Sequence, residues 1–592
     1  MSKLFPWLIV AGLAMPSVAR AQERDAPPPR PAGTGRIAGT VTDAESGRQL
    51  RFARVKLTPD MVSDGGVVTD ESGRFVFDKL PAGDYQIQVE KPGYLNTTYG
   101  QTRPGTDTPG RQIHLRDGER LERLEIPISH GASIAGVVRD DRGDPVFPAT
   151  VTVYRWSTME GVRRLRGVQT AETDERGRYR VSMLPPRDYV VGAAASEEVI
   201  PQGSNTTPML GHAPSFFPGG PSPQQTSTLT MRLGEERADI DFQLPVVPLG
   251  SVKGIVVDSD GKPVPELHVS LTGAGSDGPE SLLSMVTDAS GKFEFDRVLP
   301  GSYLISAGDD MAMKFEHHTF FKPSISYIRR DIGRDIEVMI SKNMVFEVVP
   351  ATKDDAPAPE RAPRGTAESD ISVSGSAATD VVLTLQPPRQ ISGRLVFEGQ
   401  TTKPDLNGMR VSVSGTGRAA TMGTDTKIND DGTFTLTNIA PGKYALGLPG
   451  LNPPWAAATA MSGGVDALDM LLEVPRDRDV RDLTITIRDR TSELSGTVGA
   501  LPGQTPVNHI VVLFPSDERF WVMGQMAIFG APVVDGKFWF GNLRAGSYRL
   551  AVIEAAEPDD WLDPSFLRRL VGASVPVTLG DGEKKVQNLR VR

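Results

Sequence analysis

The sequence predicts an all-β chain: a tandem array of about five small β-sandwich modules with a short helical insertion near the C-terminus. Three observations carry this. Half of the ten tyrosines stand in one register, at Tyr85, Tyr189, Tyr303, Tyr444 and Tyr548. Each follows an aromatic introduced by Gly-x, at Phe75, Tyr179, Phe293, Phe434 and Phe538, by a constant spacing. The composition, with 61 Gly and 48 Pro in 592 residues, suits short strands joined by tight turns, and the length has room for about four to six domains.

From the N-terminus, Lys3, the apolar run Leu4 to Ala14 and the motif Ala19-Arg20-Ala21 read as a secretory signal with its cleavage site. That run is too short to cross a bilayer, so no transmembrane segment is expected after cleavage. The Pro-rich stretch that follows reads as an extended linker. The resulting boundaries are a signal peptide over 1–21, a linker over 22–34, and modules over 35–130, 131–245, 246–387, 388–489 and 490–592. A disordered insertion rich in Pro, Ala and charge is expected in the third module near 351–369.

Each unit opens with an apolar-x-Gly-x-apolar strand carrying Gly39, Gly136, Gly254, Gly393 or Gly496. The alternation marks a half-buried strand with the glycine facing inward. Glycine weakens a strand, so its repetition implies a packing reason: room for the recurrent tyrosine, or for the aromatic ahead of it. A second strand and a Thr-Asp-x-x-Gly segment follow, clear at Thr69-Asp70, Thr173-Asp174 and Thr287-Asp288 and read as a hairpin turn. The aromatic strand then leads through a Pro-Gly-like corner into the tyrosine strand. Each unit ends in a strand, a turn and a strand, read as a hairpin, as from Ile113 to Ile128 around Asp117-Gly118-Glu119. Together these make about seven strands, enough to close a two-sheet sandwich. Near the end, Asp563 as N-cap, Pro564 in the first turn and Phe566, Leu567 and Leu570 on one face predict a helix. The modules are expected to follow one another as beads on a string.

The run from Thr69 to Tyr85, Thr-Asp-x-x-Gly-x-Phe-x-Phe-x-x-Leu-Pro-x-Gly-x-Tyr, resembles the carboxypeptidase regulatory-like domain. The resemblance recurs five times and covers nearly all the chain after the signal. It implies a prealbumin/Ig-like (transthyretin-like or starch-binding-like) β-sandwich, found in secreted bacterial proteins as an accessory or binding module without catalytic chemistry. The second copy departs from the pattern at Arg187, where the others have glycine, and the fifth at Val533, where the turn aspartate belongs.

The formal charge of −10 argues against a nucleic-acid partner, because phosphate binding needs clustered cations. With no cysteine, disulfides, thiolate metal sites and cysteine catalysis are excluded. There is no H-E-x-x-H, no G-x-S-x-G, and no Gly-Lys pair followed by Ser or Thr. His317-His318 is the one histidine cluster, and adjacent strand residues point to opposite faces. Asp258-x-Asp260-Gly261 lacks the downstream ligands of a calcium loop and reads as a turn. No catalytic residue, metal or cofactor is expected.

The candidate ligand residues lie in the fifth module. Trp539 takes the outward position between inward Phe538 and Phe540, with Phe520, Trp521 and Trp561 nearby in sequence. An outward tryptophan is a platform for a sugar ring or a partner's apolar side chain. The competing reading folds the helix around Phe566 back over these rings as a satellite core. Recurrent aromatic loops at Tyr94 to Tyr99, Phe216-Phe217 and Phe320-Phe321 are expected to cap a sandwich end or pack against the next module, rather than capture a ligand. The sequence thus predicts an exported, non-catalytic binding protein of the periplasm or the cell exterior. Its partner would be a polysaccharide first, or else another envelope protein bound by a structural scaffold.

Overall fold

A computed structural model of the chain describes residues 33–58, 66–101, 103–106, 110–159, 162–195, 209–223, 226–273, 282–308, 326–332, 335–341, 364–375, 378–401, 403–415, 424–452, 455–499, 509–521, 528–534, 536–554 and 558–591. The signal peptide, nearly all of the linker, His317-His318, Phe320-Phe321 and residues 351–363 of the expected insertion lie outside them.

The first module sets the pattern with β1 (Gly35–Asp43), β2 (Arg54–Thr58), β3 (Val67–Val68), β4 (Arg74–Leu80), β5 (Gly83–Glu90), β6 (Thr97–Thr98), β7 (Ile113–Leu115) and β8 (Arg120–Ile128). One sheet runs β4-β1-β8, with β8 parallel to β1. The other runs β3-β2-β5, with β6 and β7 both on β5. The same two-sheet plan recurs in each later module. The first strands are Ala132–Asp140, Gly250–Val257, Arg389–Glu398 and Ser492–Gly499, and each is flanked by its aromatic strand and by a parallel closing strand. This is the expected all-β array of sandwiches.

Two predicted hairpins are sheet-to-sheet corners instead. The Asp117-Gly118 turn joins β7, on β5, to β8, on β1, so the chain crosses from one sheet to the other. The Thr-Asp-x-x-Gly segment likewise leaves β3 in one sheet and enters β4 in the other. In three modules a threonine ties this corner, whereas the fourth and fifth, with Ile428 and Pro532 at that place, cross between sheets without it. Buried Thr69 donates its Oγ1–H to the Leu50 carbonyl at 2.7 Å and accepts the Ala53 amide at 2.9 Å. Thr173 and Thr287 make the same pair of bonds. A hydroxyl satisfied on both sides can be buried where a hairpin would have placed it at the rim. The expected insertion also ran too far: Thr366–Val373 is a strand paired to Gly301–Gly308, so residues 366–369 belong to the sandwich.

Each core is private to its module. The clusters draw on residues 37–128, 132–244, 252–385, 391–487 and 494–589. The recurrent glycine stands directly across from the recurrent aromatic in all five: Gly39–Phe75, Gly136–Tyr179, Gly254–Phe293, Gly393–Phe434 and Gly496–Phe538. On its other side, the closing strand turns a carbonyl toward the glycine, and a Cβ there would lie only 1.9–2.3 Å from that oxygen. The ring therefore occupies the space as one of the two predicted alternatives, and the tyrosine serves elsewhere. Its hydroxyl donates back to the carbonyl four residues earlier, Pro81, Pro185, Leu299, Ala440 and Arg544 in turn, at 2.7–2.9 Å. This tyrosine corner locks the turn into the last large strand.

Candidate functional site

The fifth module carries a second, smaller core that the others lack. The helix Pro564–Val571 starts where Asp563 accepts the Ser565 amide, and it buries Leu567 against the outer face of the strand His509–Pro515. Trp521 lies in this cluster at 1% exposure, edge-on to Phe514, with its indole N–H donating to the Pro515 carbonyl at 2.8 Å. Trp561, 4% exposed, lies on Gly530. Two of the four candidate ligand rings therefore pack inward, because the helix supplies an apolar cover for that face. Phe520, half-buried at the end of a 3₁₀ turn, has the Arg519 guanidinium 5.8 Å from its ring.

Trp539 is on the opposite sheet, away from that cluster. It pairs with Ser495 and lies flat over Gly541, where a Cβ would be 2.1 Å from the ring. The residue is half-buried. The structure thus separates Trp539 from Phe520, Trp521 and Trp561 and does not assemble them into one site.

What it does assemble is contact between modules. Arg544 occupies the corner position that is proline, leucine or alanine in the other copies. Its guanidinium reaches into the fourth module, where Nη1 donates to Asp469 and Nη2 to Asp466, both at 2.5 Å, and Nε to the Ala458 carbonyl at 2.9 Å. Asp466 is held ready for this by the amides of Ala460 and Leu468. Burial pushes the Asp469 carboxyl up, against the pull of Arg544. Arg488 adds a second tie across the same junction, to Asp581 at 3.3 Å. The signal for Arg544 in the sequence is a charged residue at an otherwise apolar repeat position.

A cleft of about 420 Å³ lies where the long ribbon of the second module meets the helical part of the fifth. Trp156, with the Arg163 guanidinium 4.4 Å over its ring, faces Phe566, with Arg569 at 5.3 Å. Glu554, Asp560 and Asp563 supply carboxylates, and Arg103 reaches in from the first module. The array is therefore not a simple string of beads, since modules distant in sequence share a wall. Among the described residues there is no group of three His, Asp or Glu placed to hold a metal, and no helix is long and apolar enough to cross a membrane.

Where they are described, the aromatic loops pack against the protein itself, in different ways. Tyr94 donates its hydroxyl to Asp43 at 2.8 Å and stacks on His130, with ring centroids 4.0 Å apart. Phe216 is buried beside Tyr154 and Leu165.

The sequence profile of the carboxypeptidase regulatory-like domain matches residues 36–120 and 251–319. Two segments of the chain thus match the carboxypeptidase regulatory-like domain. The first and third modules hold the matched regulatory-like segments, and the other three repeat the same strand plan around the same corner. Colossin-A of Dictyostelium discoideum is 22% identical over 247 residues, which is 40% of this chain and 2% of that protein. Serine-aspartate repeat-containing protein F of Staphylococcus epidermidis is 23% identical over 300 residues, 46% of this chain and 17% of that protein. The chain thus spans less than a fifth of the length of these curated relatives. Among solved structures, two B repeat units of the collagen binding protein of Staphylococcus aureus align with 12% identity and a TM-score of 0.12, covering 76% of this chain and 99% of that one.

Proposed function

We propose that this protein is an exported, non-catalytic scaffold in the cell envelope or outside it, whose regulatory-like modules form a stiffened array that presents loops and inter-module surfaces to other envelope proteins. The observation that carries this reading is the Arg544 clamp. Three donors of one guanidinium are spent on the neighbouring module, in a geometry that a freely swivelling linker would not hold. The linkers support it: only Ser129 to Gly131, Pro245 to Leu249, Leu385 to Pro388 and Asp489 to Thr491 separate one sandwich from the next. The signal-like N-terminus supports export, and partial similarity to a serine-aspartate repeat-containing protein fits a repeat protein.

Small-angle scattering on the full chain tests this. The expected profile is that of one restricted set of module orientations, and Arg544→Ala broadens it toward larger dimensions. A profile that fits only a wide ensemble, or that Arg544→Ala leaves unchanged, sinks the reading.

Carbohydrate binding is the second reading, favoured by the cleft. Two aromatic rings and carboxylates alternating with guanidiniums suit stacking on a sugar ring and paired hydrogen bonds to its hydroxyls. The half-buried Trp539 offers a further platform. Binding on a glycan panel that disappears in Trp156→Ala or Trp539→Ala supports it. Equal retention of those variants and the parent chain counts against it.

A further inference from the structure

The closing strands of the five modules end their sheets in different ways. In the fourth, Val480–Arg488 is covered by an added antiparallel strand, Ala456–Ser462, which comes from the insertion before the module's penultimate strand. That strand shows what this edge of the fold accepts. In the first module the edge strand is blunted by Pro127 and by Arg120, Glu122, Arg123 and Glu125. In the second it is broken into Glu236–Arg237 and Phe242–Leu244, and in the fifth into Lys584–Val586 and Leu589–Arg590. Proline, charge and interruption are the usual protections of a sheet edge.

The third module has neither proline nor interruption there, and a single charge. Ala378–Thr384 is an unbroken edge strand of seven residues, in continuous register with Gly250–Val257, with no proline and Asp380 as its one charge. Among the described residues no strand lies beyond it. Leu385 donates its amide inward to the Val257 carbonyl. By the two-residue alternation of a parallel ladder, Asp380, Val382 and Thr384 direct their amides and carbonyls to the open side. Val382 is 66% exposed, and its row continues inward to Ile255.

We propose that this strand is a dimerisation edge: two copies of the chain pair antiparallel about a two-fold axis at Val382. That register sets Val382 against Val382, merging the two Ile255–Val382 rows into one apolar stripe. It also sets each Asp380 opposite a Thr384, whose hydroxyl can donate to the carboxylate. About six backbone hydrogen bonds close across the axis. A shift that centres on Asp380 brings the two carboxylates face to face, which is unfavourable. A shift that centres on Thr384 forfeits the Asp380 contacts. The chain's own sequence thus singles out one self-complementary register, as an isologous interface requires.

The chain lacks cysteine, so Val382→Cys carries a single thiol. The full-length variant is treated with a short bis-maleimide, and the parent chain is followed by sedimentation velocity over a dilution series. The expected result is a dimer that dissociates on dilution, with cross-linking at position 382 well above that of Val586→Cys, a position 70% exposed in the fifth module. Val382→Arg is expected to weaken the dimer by about tenfold or more, through like charges placed directly opposite, with unchanged thermal unfolding. A chain monomeric throughout overturns the proposal. So does cross-linking at 382 no greater than at 586, or a dimer that Val382→Arg leaves intact.

Discussion

Four of the five glycines of the opening strands are pinned between a ring and a carbonyl, and Gly136 against the Ile240 carbonyl and Asp241, so their role is steric rather than conformational. In Gly393→Ala the new Cβ would lie 2.0 Å from the Leu483 oxygen and 2.8 Å from the Phe434 ring. Neither can retreat without opening the core, and overpacking of this kind costs about 1–3 kcal/mol or more. Gly442→Ala is the contrast. Its Cβ would meet the Tyr444 ring at 3.7 Å, an ordinary contact, so the expected change is within about 0.5 kcal/mol. Chemical denaturation of the two variants checks both. The same spacing explains why the second module tolerates Arg187 at the equivalent place. The bulge before each corner was less legible: Lys79, Met183, Arg297, Asn438 and Asn542 all adopt φ between 56° and 67°, and only the two asparagines suit that region. Asp43 yields a pH prediction. The Ser46 amide holds its carboxyl well below the usual carboxylate range, against the effect of burial, with help from the Tyr94 and Ser46 hydroxyls and the Glu45 amide. A depressed folded-state pKa contributes stability that is present above about pH 4 and lost as pH falls below it. Acid unfolding of the full chain should therefore be less steep in Asp43→Asn, and an unchanged acid limb would refute the assignment.

At the scale of elements, the helix Pro564–Val571 decides the fate of the fifth module's tryptophans. Trp521 has an apolar wall on one side and a satisfied N–H on the other. Trp521→Ala is expected to destabilise the module by about 3–5 kcal/mol. Trp539→Ala, removing a half-buried ring from a sheet face, is expected to cost less than about 1 kcal/mol. Thermal unfolding distinguishes the two. Comparable losses would mean that Trp539 is as much a core residue as Trp521. The corners between sheets belong to this scale too. The chain passes from one sheet to the other at these corners, with a bridging threonine in three modules and without one in two, and no local pattern separates that from a hairpin.

Over the whole molecule, five private cores are joined by short linkers, and a few polar contacts cross between neighbouring modules. The side chain of Arg544 is 29% exposed and that of Asp466 15%, so their pairing is shielded from water and salt more than a surface ion pair would be. Removing the guanidinium leaves the two carboxylates close together with no cation between them, which is why Arg544→Ala should free the fifth module from the fourth. The Trp156–Phe566 cleft implies that restraint at one junction also shapes a surface built from modules far apart in sequence.

The sequence alone determined the repeat, the number of modules, the inward glycine, the turn glycines and the helix with its cap, because each depends on residues close together in one unit. The tertiary structure decided which ring faces the glycine, where the strands change sheets, and which tryptophans are covered. It also decided that Arg544 grips the preceding module and that the Ala378–Thr384 edge has no strand beside it among the described residues. Those outcomes depend on contacts between residues far apart in the chain, and periodicity carries no record of what lies across a sheet or across a junction.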